Sequence, residues 1–135
     1  PGQAKIPATR LREPLLIQPD PEDPAMLADR VRAHPGDILF NKHWFDIFTN
    51  ANVEPVLTAL NPQHIVLYGV AQDVCDRYAV DGLLTRHPAI RLSVVRDAMR
   101  PIDPAAGERL LRQWSDDGVR IVETNDVVAG GCWAA

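Results

Sequence analysis

The sequence predicts an α/β protein built on a parallel sheet. Short apolar runs alternate along the chain with stretches of helical spacing, a pattern typical of βαβ crossovers. The apolar run at 65–70 (IVLYGV) is almost unbroken, which indicates a strand buried on both faces. Asp23-Pro24 and Asp103-Pro104 mark helix starts, because an aspartate N-cap is often followed by proline at the first helical position. These observations favour a three-layer, doubly wound α/β fold.

Size, charge and cysteine content exclude several classes of protein. The chain has 135 residues, the size of one domain, and a formal net charge of −4 with scattered basic residues. Nothing therefore indicates a surface for nucleic acid or an anionic membrane. The sequence has no secretory signal or long apolar span, and Cys75 and Cys132 are too few and too far apart for a disulfide framework. We expect a cytoplasmic protein in a reducing compartment.

The predicted elements follow one another in a simple order. Residues 1–24, rich in proline and charge, are expected to form an N-terminal arm, in which LLI at 15–17 makes a short strand, a hydrophobic latch or an oligomer contact. An α/β domain is predicted over 25–128 and a C-terminal tail over 129–135. Within the domain we expect helices over 24–34, 52–60, 74–84 and 104–117, and strands over 38–40, 65–70, 90–95 and 119–122.

The carboxyl ends of the strands are the expected ligand edge, as in other open α/β sheets. Lys42 follows the strand at 38–40, and the aromatic side chains of Trp44, Phe45 and Phe48 come next. Such a cluster is usually core or interface, but beside a strand-end lysine it can also wall a substrate pocket, and both alternatives stay open. The four histidines show no paired ligand spacing and no glycine-rich phosphate loop is present, so we expect no metal and no cofactor.

Cys75 is the residue around which we interpret the chain. It falls in the first turn of the helix that follows the strand at 65–70. Backbone N–H groups and the positive end of the helix dipole there stabilise a thiolate, and the same N–H groups can hold the oxyanion of a tetrahedral intermediate. A buried cysteine that acts only as a small hydrophobe is the alternative. Position alone does not decide between them.

Four segments carry a resemblance to a known family. They are GVAQDVC at 69–75, ILFNKHWFDIF at 38–48, VVRDA at 94–98 and GVRIVETNDVV at 118–128. In these segments the sequence resembles the isochorismatase-like cysteine hydrolases, which include nicotinamidases and carbamoyl-amide hydrolases. The match covers about the last hundred residues in the family's order.

The resemblance implies an amidohydrolase site with a small-molecule amide or carbamoyl substrate. Cys75 matches the nucleophile, which forms a thioester, and Lys42 matches a lysine that favours the thiolate. Val70-Ala71 matches a cis peptide that aims the Ala71 N–H, with that of Cys75, at the oxyanion. Trp44, Phe45 and Tyr78 are our candidates for pocket walls.

One catalytic residue of the family has no counterpart here. The family's aspartate ends a first strand that this sequence lacks, and the metal motif of some members belongs to the same region. Asp73, Asp76 and Asp97 are expected to be a helix cap, a solvated helix residue and a strand-end turn residue, not the missing base. A fragment, one piece of a processed protein and a chain that has lost catalysis all explain the gap, and we favour the first two. Since such a sheet exposes an open edge, we expect a homo-oligomer or association with an N-terminal segment. A noncatalytic binding or assembly module is the competing function.

Overall fold

The computed structural model describes Pro7 and residues 10–131. In chain order the elements are β1 (Leu15–Ile17), α1 (Pro24–Ala33), β2 (Ile38–Phe40), a 3₁₀ turn (Ile47–Thr49), α2 (Val53–Leu60), β3 (His64–Val70), a π-helical turn (Gln72–Asp76), α3 (Arg77–Arg86), β4 (Arg91–Arg100), α4 (Pro104–Asp116), β5 (Arg120–Val122) and α5 (Thr124–Val128). Every strand pair in the described part of the chain is parallel. The predicted α/β class is confirmed. Cys132 lies outside the described residues.

The chain divides into two compact units. The first contains Pro1–His43 and Thr49–Asn61, and the second contains Trp44–Phe48 and Pro62–Ala135. The aromatic segment at 44–48 is therefore grouped with the C-terminal part of the chain, although the residues on both sides of it belong to the first unit.

The first unit contains a two-stranded sheet of β1 and β2. Leu15 pairs with Ile38 and Ile17 pairs with Phe40, so the strands run in parallel and in register. Ile17 is fully buried in a cluster whose other buried members are Leu27, Val31 and Val56. Of the three alternatives for residues 15–17, the structure has the strand. The Asp23 cap is present too, since its carboxylate accepts a hydrogen bond from the Met26 N–H at 2.9 Å.

Two buried asparagines hold the segments that leave β1 and β2. The Asn50 Nδ2 donates to the carbonyl oxygens of Asn41 at 2.7 Å and of Ile17 at 3.3 Å. Asn52 donates to two carbonyl oxygens in the loop at 18–22 and accepts from a backbone N–H there. Both side chains satisfy backbone groups that would otherwise be buried without partners, which stabilises the two strand ends.

The second unit contains a three-stranded sheet in the order β3-β4-β5. β4 extends to Arg100, beyond the predicted 90–95, because its end pairs again with β3 after a register shift between Leu67 and Gly69. Val95 and Val122 are buried on this sheet, with Val66 and Val127 packed against them. β3 pairs with β4 and with no other strand of the described chain, so it is an edge of this sheet.

The helices of the second unit add the rest of its core. Trp114 of α4 is fully buried, and its indole N–H lies 3.4 Å from the Asp81 carboxylate of α3. The expected Asp103 cap is present, since the Asp103 carboxylate accepts from the Ala105 N–H at 2.9 Å. Across residues 10–131, no helix is long and apolar enough to cross a membrane.

Candidate active site

Cys75 lies between the carboxyl end of β3 and the start of α3. A π-helical turn (Gln72–Asp76) contains it, where the sequence predicted an α-helix from 74. The Ala71 carbonyl oxygen accepts from the Val74 N–H at 3.0 Å and the Asp76 N–H at 3.1 Å, and the second bond has the five-residue spacing of a π-helix. The Cys75 side chain is half-buried.

The turn that holds Cys75 is tied to the connection between β4 and α4 and to the first part of α4. The buried Gln72 side chain donates from Nε2 to the Gly107 carbonyl oxygen at 2.9 Å. The Asp73 carboxylate accepts from the Asp103 N–H at 2.9 Å and the Ile102 N–H at 2.8 Å, and these bonds lower the pKa of Asp73. The predicted helix-cap role for Asp73 is wrong, because Ala71 occupies the N-cap. Asp73 instead fixes the Cys75 turn to a distant loop.

Asp76, the neighbour of Cys75, is buried and not solvated as predicted. Its residue surface is only 8% exposed, and its carboxyl packs against Gly69, where the missing side chain leaves room for it. Oδ2 of Asp76 has no hydrogen-bond partner among the described residues. Burial raises the pKa of this carboxyl. The turn therefore carries two carboxyl groups in opposite environments. The charged form of Asp73 is stabilised by its hydrogen bonds, and the charged form of Asp76 is destabilised by burial.

Asp97 also differs from the sequence-based expectation. It lies inside β4 and not in a turn at the end of the strand. Its carboxylate accepts from the Thr124 N–H at 2.8 Å and the Thr124 hydroxyl at 3.0 Å. Asp97 thus holds the start of α5, a helix that the sequence analysis did not predict.

The peptide bond between Val70 and Ala71 is cis, at the position that the resemblance implies. Ala71 and Cys75, the residues expected to supply oxyanion-binding N–H groups, lie in one short segment that begins at this bond. Lys42, the expected cationic partner, follows the end of β2 and Asn41 in the first compact unit.

The three residues expected to wall a pocket are exposed and belong to the second unit. Trp44 is 72% exposed and Phe45 is 61% exposed, while Tyr78 in the first turn of α3 is about half exposed. Phe48, the third member of the aromatic cluster, is partly buried and lies against α3. The alternative that treated the cluster as core thus applies to Phe48, and Trp44 and Phe45 remain accessible to a ligand.

Fold and site together define a layered α/β protein with a cysteine in a tight turn after a parallel strand. The chain belongs to the isochorismatase domain family, whose model matches residues 5–126. A comparison of the sequence with curated proteins found no match.

Several solved structures share this fold. N-carbamoylsarcosine amidase from Thermoplasma acidophilum is 30% identical with a TM-score of 0.53, and the match covers 70% of this chain and 53% of that one. Pyrazinamidase of Pyrococcus horikoshii in complex with zinc is 23% identical with a TM-score of 0.56, covering 64% of this chain and 50% of that one. Nicotinamidase from Bacillus subtilis is 15% identical with a TM-score of 0.59, covering 73% and 54%. The chain thus spans about half the length of these structures.

The zinc of the pyrazinamidase raises the question of a metal site in this chain. Among residues 10–131, no three histidine, cysteine, aspartate or glutamate side chains are grouped so that they could hold a metal ion. Zinc sites generally need three or four such ligands. The described residues therefore do not fit a metal ion.

Proposed function

We propose that this chain is the nucleophile-bearing part of a hydrolase that cleaves a non-peptide C–N bond in a small amide or carbamoyl compound. The observation that carries the proposal is the position of Cys75, in a turn that Gln72 and Asp73 hold to the start of α4. A nucleophile held in this way is ready to attack without reorganising its surroundings. Membership of the isochorismatase domain family and the amidases among the similar structures support the same reaction class.

The proposed reaction has two halves. The Cys75 thiolate attacks the carbonyl carbon of the substrate, and the tetrahedral intermediate collapses as the C–N bond breaks and the amine leaves with a proton. The product of this half is a thioester on Cys75. A water molecule then attacks the thioester carbonyl, releases the acid and returns the sulfur to its thiolate form.

Two further residues, Ala71 and Lys42, have assigned roles in this proposal. The N–H groups of Ala71 and Cys75 donate to the oxyanion that forms in each half-reaction. The Lys42 ammonium favours the thiolate over the thiol, as a nearby cation does for other reactive cysteines. These roles rest on the family resemblance together with the cis bond at Val70-Ala71.

We further propose that an upstream segment or a second protein chain completes the site beside β3. β3 has an unpaired edge in the described sheet, and its Tyr68 and Val70 side chains are each 69% exposed. Open strand edges with apolar side chains are ready to pair with another strand. The added segment would also supply the carboxylate that moves protons in both half-reactions. Without that carboxylate we expect turnover to be lower by roughly 10²- to 10⁴-fold.

The experiment that tests the reaction is a hydrolysis assay on nicotinamide, pyrazinamide and N-carbamoylsarcosine. Cys75→Ser should abolish release of ammonia from any substrate that the unaltered protein hydrolyses, and Lys42→Met should reduce it. Cys132→Ser is the matched control and should retain full activity. Equal activity in the Cys75→Ser variant would refute the proposed nucleophile.

A second experiment measures the thiol directly. The rate of Cys75 alkylation by iodoacetamide is followed against pH by mass spectrometry, with Cys132 as the reference in the same molecule. An assembled site predicts that Cys75 reacts at a lower pH than an ordinary thiol, whose pKa is about 8.5.

The activity requires a reduced thiol, so we place the protein in the cytoplasm.

The alternative function is a noncatalytic binding or assembly module, favoured by the same open edge of β3. It predicts that Cys75 and Cys132 titrate alike and that an oligomer persists in a Cys75→Ala variant. A monomer in light scattering would count against this alternative.

A further inference from the structure

The ring of Phe48 sits directly on the Cα of Gly82. A Cβ at residue 82 would stand 2.2 Å from one ring carbon and 2.4 Å from the next, so no side chain fits there without displacing the ring. The Arg86 guanidinium lies 4.9 Å from the ring centroid, in cation–π geometry. We call Phe48, Gly82 and Arg86 the Phe48 seat. It joins the segment at 44–48 to α3.

The Phe48 seat lies on the face of α3 that leads back to Cys75. Residues three or four apart share a helix face, so Tyr78, Gly82 and Arg86 form one line along α3, and Cys75 comes one turn before Tyr78. Gly82 is two turns from Cys75, roughly 10 Å along a helix axis. Four residue steps span at most about 14 Å, and less here because Ile47 and Phe48 belong to a 3₁₀ turn, so the contact of Phe48 with Gly82 keeps Trp44 and Phe45 within that reach of α3.

The exposed aromatic side chains near the Phe48 seat are unusual for a surface. Trp44, Phe45 and Tyr78 all expose large apolar surfaces within the same compact unit. Their neighbour Asp46 accepts a hydrogen bond from the Phe48 N–H at 2.9 Å, which fixes the backbone between the exposed rings and the seat. Large aromatic side chains that remain exposed can mark a ligand-binding surface.

We propose that the Phe48 seat is the positioning device that sets Trp44 and Phe45 as an aromatic wall beside Cys75, and thereby selects substrates with a flat ring or another flat group. This inference rests on the proposed function for Cys75 as the reactive group. It adds that Gly82, which touches no substrate, controls specificity through Phe48.

The test compares two alkylating reagents with the same leaving group, iodoacetamide and N-benzyl-iodoacetamide. The ratio of their rates at Cys75 reports the shape of the approach to the sulfur, because changes in thiolate fraction affect both rates equally. The same ratio at Cys132 is the internal reference. In Gly82→Ala we expect the preference of Cys75 for the benzyl reagent to fall by about 3- to 10-fold, the size of one aromatic contact.

A double-mutant cycle separates this effect from simple loss of stability. Phe48→Leu removes the ring, so Gly82→Ala should change the rate ratio little in the Phe48→Leu background. Thermal denaturation of each variant identifies any that fail to fold. A lower melting temperature for Gly82→Ala with an unchanged rate ratio at Cys75 would overturn the inference.

The outcomes also distinguish this inference from the proposed function. If Cys75 titrates like Cys132 but the rate ratio still falls in Gly82→Ala, the proposed hydrolase chemistry fails and the Phe48 seat stands. If Cys75 titrates at low pH and the ratio does not change, the chemistry stands and the seat has no part in specificity.

Discussion

The Asp76 carboxyl lies against the Cα of Gly69: a Cβ at residue 69 would stand 3.1 Å from Oδ1. A strand residue without a side chain therefore accommodates a buried acid beside Cys75. The Asp76 carboxyl needs the space that Gly69 leaves, so a substitution at either residue should change the stability of the protein.

Asp76→Asn should stabilise the protein at neutral pH. Burial raises the pKa of Asp76 in the folded state, so its contribution to stability is fully present only below the unfolded value near 3.8 and is lost as pH rises through the folded pKa. An amide avoids this loss, and we expect a gain of about 1–3 kcal/mol at pH 7 that disappears by pH 4. Urea denaturation of both proteins across this range measures the difference. A gain that does not depend on pH would contradict the explanation.

Gly69→Ala should destabilise the second unit. The φ of Gly69 is 153°, which side chains rarely adopt, and the added methyl group also meets Asp76. We expect a cost of about 1–3 kcal/mol from the backbone conformation alone. In an Asp76→Ala background the cost of Gly69→Ala should be smaller, because the steric part disappears. Equal costs in both backgrounds would show that the contact with Asp76 carries no energy.

His64 should make stability fall as the pH drops below the ordinary histidine pKa of 6.5. Its Nε2 lies 2.8 Å from the Ser93 hydroxyl, and burial, followed by the charges of Arg91 and Arg120, lowers the pKa of His64. Because the folded pKa is the lower one, stability is fully present above the unfolded value near 6.5 and falls as pH drops towards the folded pKa. His64→Gln should flatten this loss between pH 7 and 5. An equal loss of stability between pH 7 and 5 in His64→Gln and in the unaltered protein would contradict this role of His64.

Asn50 should contribute more to the stability of the first unit than an exposed asparagine does. Asn50→Ala leaves the Asn41 carbonyl oxygen without its 2.7 Å donor and should cost about 1–3 kcal/mol. Asn50→Asp should cost more at pH 7, because a carboxylate would face two carbonyl oxygens, and the excess should shrink in acid. Asn125→Asp, at an exposed position, is the control for charge. Denaturation curves in which Asn50→Asp and Asn125→Asp behave alike would rule out this role.

The sequence predicted those features that depend on neighbouring residues. The caps at Asp23 and Asp103, each followed by proline, and the strand that ends at Val70 follow from local patterns, and the structure has them. The π-helical turn at Cys75 was not predictable in this way. It depends on Asp73 bonding to residues 102 and 103 and on Gln72 bonding to residue 107, about thirty positions along the chain.

The site was predicted to a smaller extent than the fold. The position of Cys75 after an apolar strand came from periodicity, and the cis bond at Val70-Ala71 came from the resemblance. The prediction that this strand is buried on both faces is wrong, because β3 is an edge strand in which Tyr68 and Val70 are each 69% exposed. The burial of Asp76 was missed, because it requires space beside Gly69 that only the folded arrangement of β3 and the following turn creates. The contact of Phe48 with Gly82 was missed for the same reason. A glycine in a helix and a phenylalanine in a loop carry no local signal that they meet.

The interleaved order of the two compact units limits how this protein can be dissected or recombined. A polypeptide starting at Pro62 would contain Cys75, α3 and the whole β3-β4-β5 sheet, but it would lack Trp44–Phe48 and leave Gly82 uncovered. Gene shuffling with a crossover at that boundary would transfer the nucleophile without the residues that cover its helix. Modular exchange among relatives therefore has to carry the five-residue aromatic segment along with the C-terminal half.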